Sequence, residues 1–367
     1  MIRGWHLAGS ILTPQGFVQG RLHFSERIEA IEEAPVKGPY ILPGFLDLHV
    51  HGGGGREVME GQEGVEATLR FHLQHGTTGL LATTVTAPLA DLERTLKGAQ
   101  AAMEGPWGKA LLGVHLEGPF ISPNRLGAQP PFPLPPDREI ASHLLSLAPV
   151  RVVTLAPELL GALELIRFLA EKGIRVQLGH TGARYEEALS ALEAGAVGFT
   201  HLYNAMTGLH HRAPGVVGLA LERGKWAEII PDGLHVHPAA IRLALKTIPG
   251  LYFVSDAVAA AGMPEGTYPL GAHRMEKRKE GVWLGESLAG STLTLDQALR
   301  NLVAFRVPLE EAAKRLSLYP ARYLRLSDRG EIALGKRADL VVLDEALRVL
   351  EVYLEGEQLA WEGSTRN

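Results

Sequence analysis

The stretch Leu42-Pro-Gly-Phe-Leu-Asp-Leu-His-Val-His-Gly-Gly-Gly-Gly55 runs an apolar strand straight into two histidines and four glycines. Strand side chains alternate between faces, so Asp47, His49 and His51 share one face and Leu46, Leu48 and Val50 the other. Two imidazoles therefore reach the C-terminal end of the strand together. The glycines behind them let the backbone turn tightly and leave room for an open metal position. Polar loop histidines show the same spacing, so a metal reading depends on partners elsewhere in the chain.

Outward from this stretch, apolar runs alternate with helical patterns, the signature of βα units. The runs are Phe45–His51, Thr78–Thr84, Ala110–Glu117, Val150–Ala156, Arg175–His180, Ala196–His201, Ala227–His235 and Leu251–Asp256. Helical patterns cover Glu63–Gln74, Ala87–Met103, Ala162–Glu171, Tyr185–Glu193 and Pro238–Leu245. Eight such runs predict an α/β fold, a (β/α)8 TIM-like barrel, whose chemistry gathers at the C-terminal strand ends. Those ends carry His49 and His51, Glu117, His180, His201, His235 and Asp256. Any one of these is more often satisfied by a carbonyl than by a metal, but their joint placement has no simple structural account. His115 shares the face of Glu117 one layer deeper and reads as a supporting residue, and Glu158 as a rim residue.

Before Pro43 and after Gly330 the pattern is one of short strands. The two ends are expected to pair into one small β domain, residues 1–43 with 325–367, around a barrel at 44–324. Gly262–Gly290 is long for a βα connection and predicts a hairpin over the rim of the site. Helices are expected at Leu295–Phe305, Leu309–Ser317 and Pro320–Leu324.

The 367 residues are 46% hydrophobic, which suits a globular chain with one large core and a satellite domain. A formal charge of -5 argues against a nucleic-acid or anionic-membrane footprint, so an anionic substrate needs a local cluster. The absence of cysteine excludes disulfides and thiolate ligands, leaving His, Asp and Glu to hold a metal. Met1–Thr13 does not read as a secretory signal and no run reaches transmembrane length, so a cytoplasmic location is expected.

Imidazoles and carboxylates without thiolates suit Zn2+ or another divalent first-row ion with an open position. The ion would lower the pKa of a water toward ~7 and make it a hydrolytic nucleophile. Asp256 is the natural general base and acid, with service as one more metal ligand the competing role. In His201-Leu-Tyr-Asn-Ala-Met-Thr-Gly-Leu-His-His-Arg212, backbone N–H groups near Asn204 and Ala205 and the forked cation of Arg212 suit a phosphate, although a plain loop would read the same way. The four glycines lack the spacing of a nucleotide loop.

Pro43-Gly-Phe-Leu-Asp-Leu-His-Val-His-Gly, His115-Leu-Glu-Gly-Pro-Phe120, Gly179-His-Thr-Gly182, Thr200-His-Leu-Tyr-Asn-Ala-Met206, Asp232-Gly-Leu-His-Val236, Ser255-Asp-Ala257 and Leu288-Ala-Gly-Ser291 occur together here. Over nearly its whole length the chain thereby resembles the N-acetylglucosamine-6-phosphate deacetylases of the amidohydrolase superfamily. The resemblance implies a barrel flanked by a small β-sandwich, and a homodimer that hydrolyses a phosphorylated amino sugar to glucosamine 6-phosphate and acetate. It implies that Glu117, His180 and His201 hold the principal metal, that His235 polarises the acetyl carbonyl and that Asp256 is general acid and base. Asn204, Ala205 and Arg212 would face the phosphate, with the partner subunit as one source of Arg212. Some members lack the first His-x-His and use one metal; His49 and His51 here make a second site plausible, so one or two ions per subunit are expected. Zn2+ is the foremost candidate, with Fe2+, Co2+ and Mn2+ as alternatives. One departure is Gly127-Ala-Gln129, where the family commonly has a histidine; Gln129 is expected to hydrogen-bond a sugar hydroxyl but cannot become cationic. Other readings are a deacetylase of a related amino-sugar phosphate or another N-acyl amine, and, last, a non-catalytic scaffold.

Overall fold

A computed structural model describes residues 5–279 and 281–360. In chain order it begins with strands β1 (Trp5–Thr13), β2 (Gly16–Phe24), β3 (Ile28–Glu33) and β4 (Tyr40–Pro43). The barrel strands are β5 (Phe45–Val50), β6 (Thr77–Thr84), β7 (Leu111–Glu117), β8 (Val150–Leu155), β9 (Arg175–Leu178), β10 (Gly198–Phe199), β11 (Trp226–Ile229) and β12 (Gly250–Phe253). Helices α1 (Gln62–Gln74), α2 (Leu89–Ala102), α3 (Arg138–Leu145), α4 (Ala162–Glu171), α5 (Tyr185–Ala194), α6 (Gly215–Arg223) and α7 (Pro238–Thr247) fall between successive barrel strands, and α8 (Leu295–Ala304) follows the last. Parallel neighbours need such crossovers, because a tight turn cannot return the chain to the start of the next strand.

β5 to β10 form one parallel sheet in sequence order, and β11 pairs with β12. Backbone hydrogen bonds bridge the two remaining seams. Leu202 N–H donates to Glu228 O at 2.8 Å between the β10 and β11 sides. Asp256 N–H donates to His49 O at 2.9 Å and His51 N–H to Ala257 O at 2.8 Å, which joins the end of β12 to β5. The eight described strands thus curl into the expected barrel. Every residue of β5 and β6 is buried, as expected for strands covered on both faces.

Two of the barrel helices have no counterpart in the sequence reading. α3 follows the proline-rich Pro130–Pro136 and is short, but Asp137 caps it by accepting Ile140 N–H at 2.8 Å. α6 carries Gly218, unfavourable by roughly 1 kcal/mol in a helix interior, and opens on Gly215 at φ +62°; it forms because Gly215–Ala220 are all buried. Strand ends also differ. β9, β10 and β12 stop before His180, His201 and Asp256, which take positive φ values of 48°, 28° and 50° and leave strand geometry there. β11 stops at Ile229, so His235 lies on a loop six residues beyond the strand and not at its end.

In place of a single hairpin, Gly262–Gly290 holds a four-stranded antiparallel meander: β13 (Gly266–Leu270), β14 (His273–Arg278), β15 (Gly281–Leu284) and β16 (Ser287–Leu288). Glu280, in the charged run of this segment, lies outside the described residues. Helices α9 (Leu309–Leu316) and α10 (Leu318–Tyr323) follow, then β17 (Leu340–Leu343), β18 (Val349–Leu354) and β19 (Glu357–Gln358). Glu331–Leu334 is not a strand, although Ile332 within it is buried.

The chain divides into two compact units, one holding its start through Asp47, Arg70–Gly79 and the stretch from Thr294 onward, the other Leu48–Leu69 and Leu80–Leu293. In the first unit both ends of the chain build a seven-stranded sheet of order β19-β18-β17-β4-β1-β2-β3. Its core is apolar: Ile11, Leu22, Phe24, Ile28, Ile41, Leu340, Val342 and Tyr353 cluster together, with the Phe24 and Tyr353 rings edge to face at 5.2 Å.

Candidate metal centre

The His-x-His stretch enters the second unit at the C-terminal end of β5, with the His49 and His51 Nε2 atoms 3.1 Å apart. The backbone then turns at Gly52, where a Cβ would lie 2.5 Å from Arg56 O and 2.8 Å from Ala259 N, so only glycine passes. His51 Nε2 lies 3.2 Å from both Glu117 Oε2 and Asp256 Oδ1, and His49 Nε2 lies 3.4 Å from the same two oxygens. On the other side of the Glu117 carboxylate, Oε1 stands 3.0 Å from His180 Nε2 and 3.1 Å from His201 Nε2, which are themselves 3.1 Å apart. His49, His51, Glu117, His180, His201 and Asp256 thus form two adjacent ligand groups that share Glu117.

The donor chemistry and spacing fit divalent ions. A tetrahedral ion with ligands at ~2.0–2.1 Å has ligand-to-ligand edges of about 3.3 Å, close to those found here. Ring orientation fits as well. His51 Nδ1–H donates to Thr83 O at 3.1 Å, His180 Nδ1–H donates to Arg125 O at 3.0 Å, and His49 Nδ1 meets a Glu228 carboxylate oxygen at 2.6 Å. Each anchor turns Nε2 toward the centre, which is how metal-bound histidines are usually held. The left-handed backbone of His180, His201 and Asp256 costs of order 1–3 kcal/mol per residue, strain typical of functional sites.

Electrostatics point the same way. Burial disfavours ionising Glu117, yet His49 and His180 outweigh it and hold the carboxyl well below the usual range. Burial likewise opposes ionised Asp256, but His49 and His51 bring it down to about 2. His115 takes the supporting place expected of it: its Nδ1–H donates to Leu48 O at 3.0 Å and its Nε2 lies 2.7 Å from Thr154 Oγ1. Burial lowers its pKa to about 4, which keeps it a neutral hydrogen-bonding residue.

A cavity of about 420 Å³ opens on the cluster, lined also by Gln129, Asn204, Ala205 and His235 and, from the meander, by Trp283 and Leu288. Asp232 organises the loop carrying His235: its carboxylate accepts Leu234 N–H at 2.9 Å, His235 N–H at 2.8 Å and His235 Nδ1–H at 2.6 Å. Burial opposes protonation of His235, but the Asp232 hydrogen bond outweighs it and raises the pKa. Asn204 and Ala205 reach the cavity, but Asn204 spends its backbone N–H on His201 O at 3.0 Å and its side-chain amide on the same oxygen at 3.2 Å. Arg212 does not line the cavity within one chain; it is exposed, with Nη1 2.8 Å from His211 Nε2.

Two residues have roles that the sequence reading did not foresee. The Gln129 amide is already engaged: Nε2 donates to Glu117 Oε2 at 2.6 Å and Oε1 accepts Thr86 N–H at 2.7 Å. It therefore braces the shared carboxylate, where a sugar contact was expected. Glu228 is fully buried and contacts His49; the available signal was a lone acid inside the apolar run Trp226-Ala-Glu-Ile-Ile230. Glu158, read as rim, accepts Thr181 Oγ1–H at 2.5 Å and Gly182 N–H at 2.6 Å and so pins the turn after His180.

The amidohydrolase family matches residues 40–366 of the chain. An N-acetylgalactosamine-6-phosphate deacetylase of Escherichia coli O157:H7 is 40% identical over 95% of this chain and 97% of its own. An N-acetylglucosamine-6-phosphate deacetylase of Bos taurus is 38% identical over 98% of this chain and 91% of its own. Among solved structures, a mutant of N-acetyl-D-glucosamine-6-phosphate deacetylase from Mycobacterium smegmatis in complex with N-acetyl-D-glucosamine-6-phosphate superposes with a TM-score of 0.92 at 34% identity, covering 97% of this chain and 99% of that one. With these extents of match and a barrel-end cluster of histidines and carboxylates, the chain belongs to the N-acetylglucosamine-6-phosphate deacetylases of the amidohydrolase family.

Proposed function

We propose that this chain hydrolyses the N-acetyl amide of N-acetylglucosamine 6-phosphate to glucosamine 6-phosphate and acetate. The observation that carries this reading is the meeting of both ligand groups, Asp256 and the Asp232-held His235 in one cavity. Zn2+ is the ion we favour, from a donor set of imidazoles and carboxylates without thiolate, with Fe2+, Co2+ and Mn2+ as alternatives. When bound, the ion supplies a lowered water pKa and Lewis acidity toward a carbonyl.

The chain's own residues do the rest. Asp256 is ionised and therefore able to take the proton of the attacking water. It then passes that proton to the amide nitrogen as the carbon–nitrogen bond breaks, so the amine leaves neutral. His235 offers its Nε2–H to the acetyl oxygen while Asp232 fixes the ring from Nδ1, stabilising the charge that develops there. Asn204 and Ala205, which line the cavity, are proposed to face the phosphate. Arg212, outside the cavity of its own chain, is proposed to reach the phosphate of a partner subunit in a homodimer. Catalysis lies in the barrel segment, 44–324, with the two ends of the chain as a separate β domain. No helix among the described residues is long and apolar enough to cross a membrane. A phosphorylated sugar substrate favours a cytoplasmic location.

A second reading, deacetylation of N-acetylgalactosamine 6-phosphate, is favoured by the 40% identity to the enzyme of that name. Acetate release from both phosphorylated epimers and from unphosphorylated N-acetylglucosamine, using metal-stripped protein titrated with Zn2+, tests the two. Metal-dependent release from the gluco epimer above the galacto epimer supports the first reading, and the reverse order the second. No release from either phosphorylated sugar sinks both.

A further inference from the structure

Away from the ligand cluster, the loop between β5 and α1 buries a carboxyl that the proposed reaction does not use. Glu57 is 6% exposed, and the loop folds back so that it lies opposite Gly52. Its own N–H donates to Glu60 Oε1 at 2.9 Å and Val58 N–H donates to His51 O at 2.8 Å, which fixes the backbone from which the side chain projects. Glu57 Oε2 then accepts Gly271 N–H at 2.8 Å, from a residue 214 positions further along the chain. Burial pushes the Glu57 carboxyl up to about 7, so the fold keeps an acid here at a cost.

Gly271 stands at the tip of the meander. Leu270 and His273 face each other across the β13–β14 hairpin, leaving Gly271 and Ala272 as a two-residue turn, and Gly271 takes the positive φ, +55°, that such turns require. The turn is tightly seated: a Cβ at Gly271 would lie 2.7 Å from Val85 Cγ2 and 3.2 Å from Pro130 Cγ. Val85 and Leu270 both line the cavity, as do Trp283 and Leu288, which face each other across β15 and β16. At the other end of β14, Lys277 Nζ donates to Ala260 O at 3.2 Å and Met263 O at 2.5 Å and so ties the meander to the loop after Asp256. A hairpin by itself is marginal in water, so attachments of this kind decide where the wall stands.

We propose that Glu57 is a positioning residue: its carboxyl oxygen tethers the β13–β14 turn and holds Leu270, and with it Trp283 and Leu288 on the paired strands, as a standing wall against which the substrate is placed. The role needs an acceptor and not a charge, because an amide oxygen accepts the same N–H. It rests on the deacetylase reading for the identity of the substrate, whereas the tether itself does not.

Wild type, Glu57→Ala and Glu57→Gln, each loaded with Zn2+, are compared by hydrogen exchange of peptides covering residues 266–275 and by acetate release from the phosphorylated sugar. Glu57→Ala leaves Gly271 N–H without its acceptor, so exchange of the turn should quicken by about 5- to 100-fold. KM should rise by about fivefold or more with kcat within about twofold of wild type, the mark of lost substrate placement with intact chemistry. Glu57→Gln should restore both. Glu57→Leu fills the site without an acceptor and replaces the alanine variant if that one does not fold. Unchanged exchange in the variants without an acceptor overturns the tether. A fall in kcat at unchanged KM, an unchanged KM despite faster exchange, or a glutamine variant as impaired as the alanine one overturns the positioning role. Wild type that releases no acetate from either phosphorylated sugar defeats the deacetylase reading, and exchange then decides the tether alone.

Discussion

The mouth of the barrel and the sheet built from the chain ends bury their side chains for opposite purposes. In the sheet, Ile11, Leu22, Phe24, Ile41 and Leu340 fill an apolar core. At the barrel mouth the buried residues include four histidines and three carboxylates, His49, His51, His180, His201, Glu117, Glu228 and Asp256. Apolar burial stabilises the fold wherever it occurs. A buried charged cluster stabilises only when every charge is matched, and cations are the remaining match for the ligand atoms that face one another here. Damage to the sheet should therefore appear as lost stability, and damage to the mouth as lost metal or lost turnover.

The sharpest way to break this contrast is Asp256→Asn. It should lower kcat by about 10²- to 10⁴-fold, the usual share of a general acid–base group, while leaving the melting temperature of the metal-free protein nearly unchanged. Loss of folding with loss of activity would make Asp256 a structural residue. In the sheet, Phe24→Ala should cost about 3–5 kcal/mol in chemical denaturation, with kcat/KM at permissive temperature within about twofold of wild type. Lost turnover in well-folded Phe24→Ala would mean that the sheet shapes the site.

Gln129→Ala separates bracing from sugar binding. It leaves Glu117 Oε2 and Thr86 N–H without this partner, a loss of about 1–3 kcal/mol that should appear as weaker Zn2+ binding. A raised KM with unchanged metal affinity would instead restore the sugar-contact role. The smallest effect concerns acid stability in the unit that holds the end sheet. Burial pushes the Asp296 carboxyl up, but His75 at 3.2 Å and Arg300 at 2.8 Å outweigh it and hold it well below its ordinary value. A depressed folded-state pKa adds stability that is fully present above the unfolded pKa of about 4 and is lost as pH falls through the folded value. Asp296→Asn should therefore flatten the fall in melting temperature below about pH 4, and an unchanged acid limb would exclude this pair as its source.

Much of the barrel was legible because its strands are apolar runs set apart by helical periodicity, and all eight strands fall on the runs read from sequence. The helices that escaped, α3 and α6, are those whose local signals conflict: a proline-rich approach in one, two glycines in the other. The strand ends ran too long because His180, His201 and Asp256 sit in left-handed backbone, which residue type does not announce. The histidines and carboxylates of the candidate ligand groups could be read from their motifs, whereas the contact of Gln129 with Glu117 could not. Its amide could serve a sugar or a carboxylate equally well, and only the 2.6 Å contact to Glu117 distinguishes them.

By itself the sequence determined the alternation of strands and helices, the lack of thiolate ligands and the chemical kind of group that follows six of the eight barrel strands. Those follow from side-chain periodicity and composition, which are local. Tertiary structure alone decided that Glu117 is shared between two ligand groups, that Glu228 stands under His49 from 179 residues away, and that Arg212 lies outside the cavity of its own chain. Barrel closure sets these distances, and a pairing between residues so far apart in sequence leaves no local pattern to read.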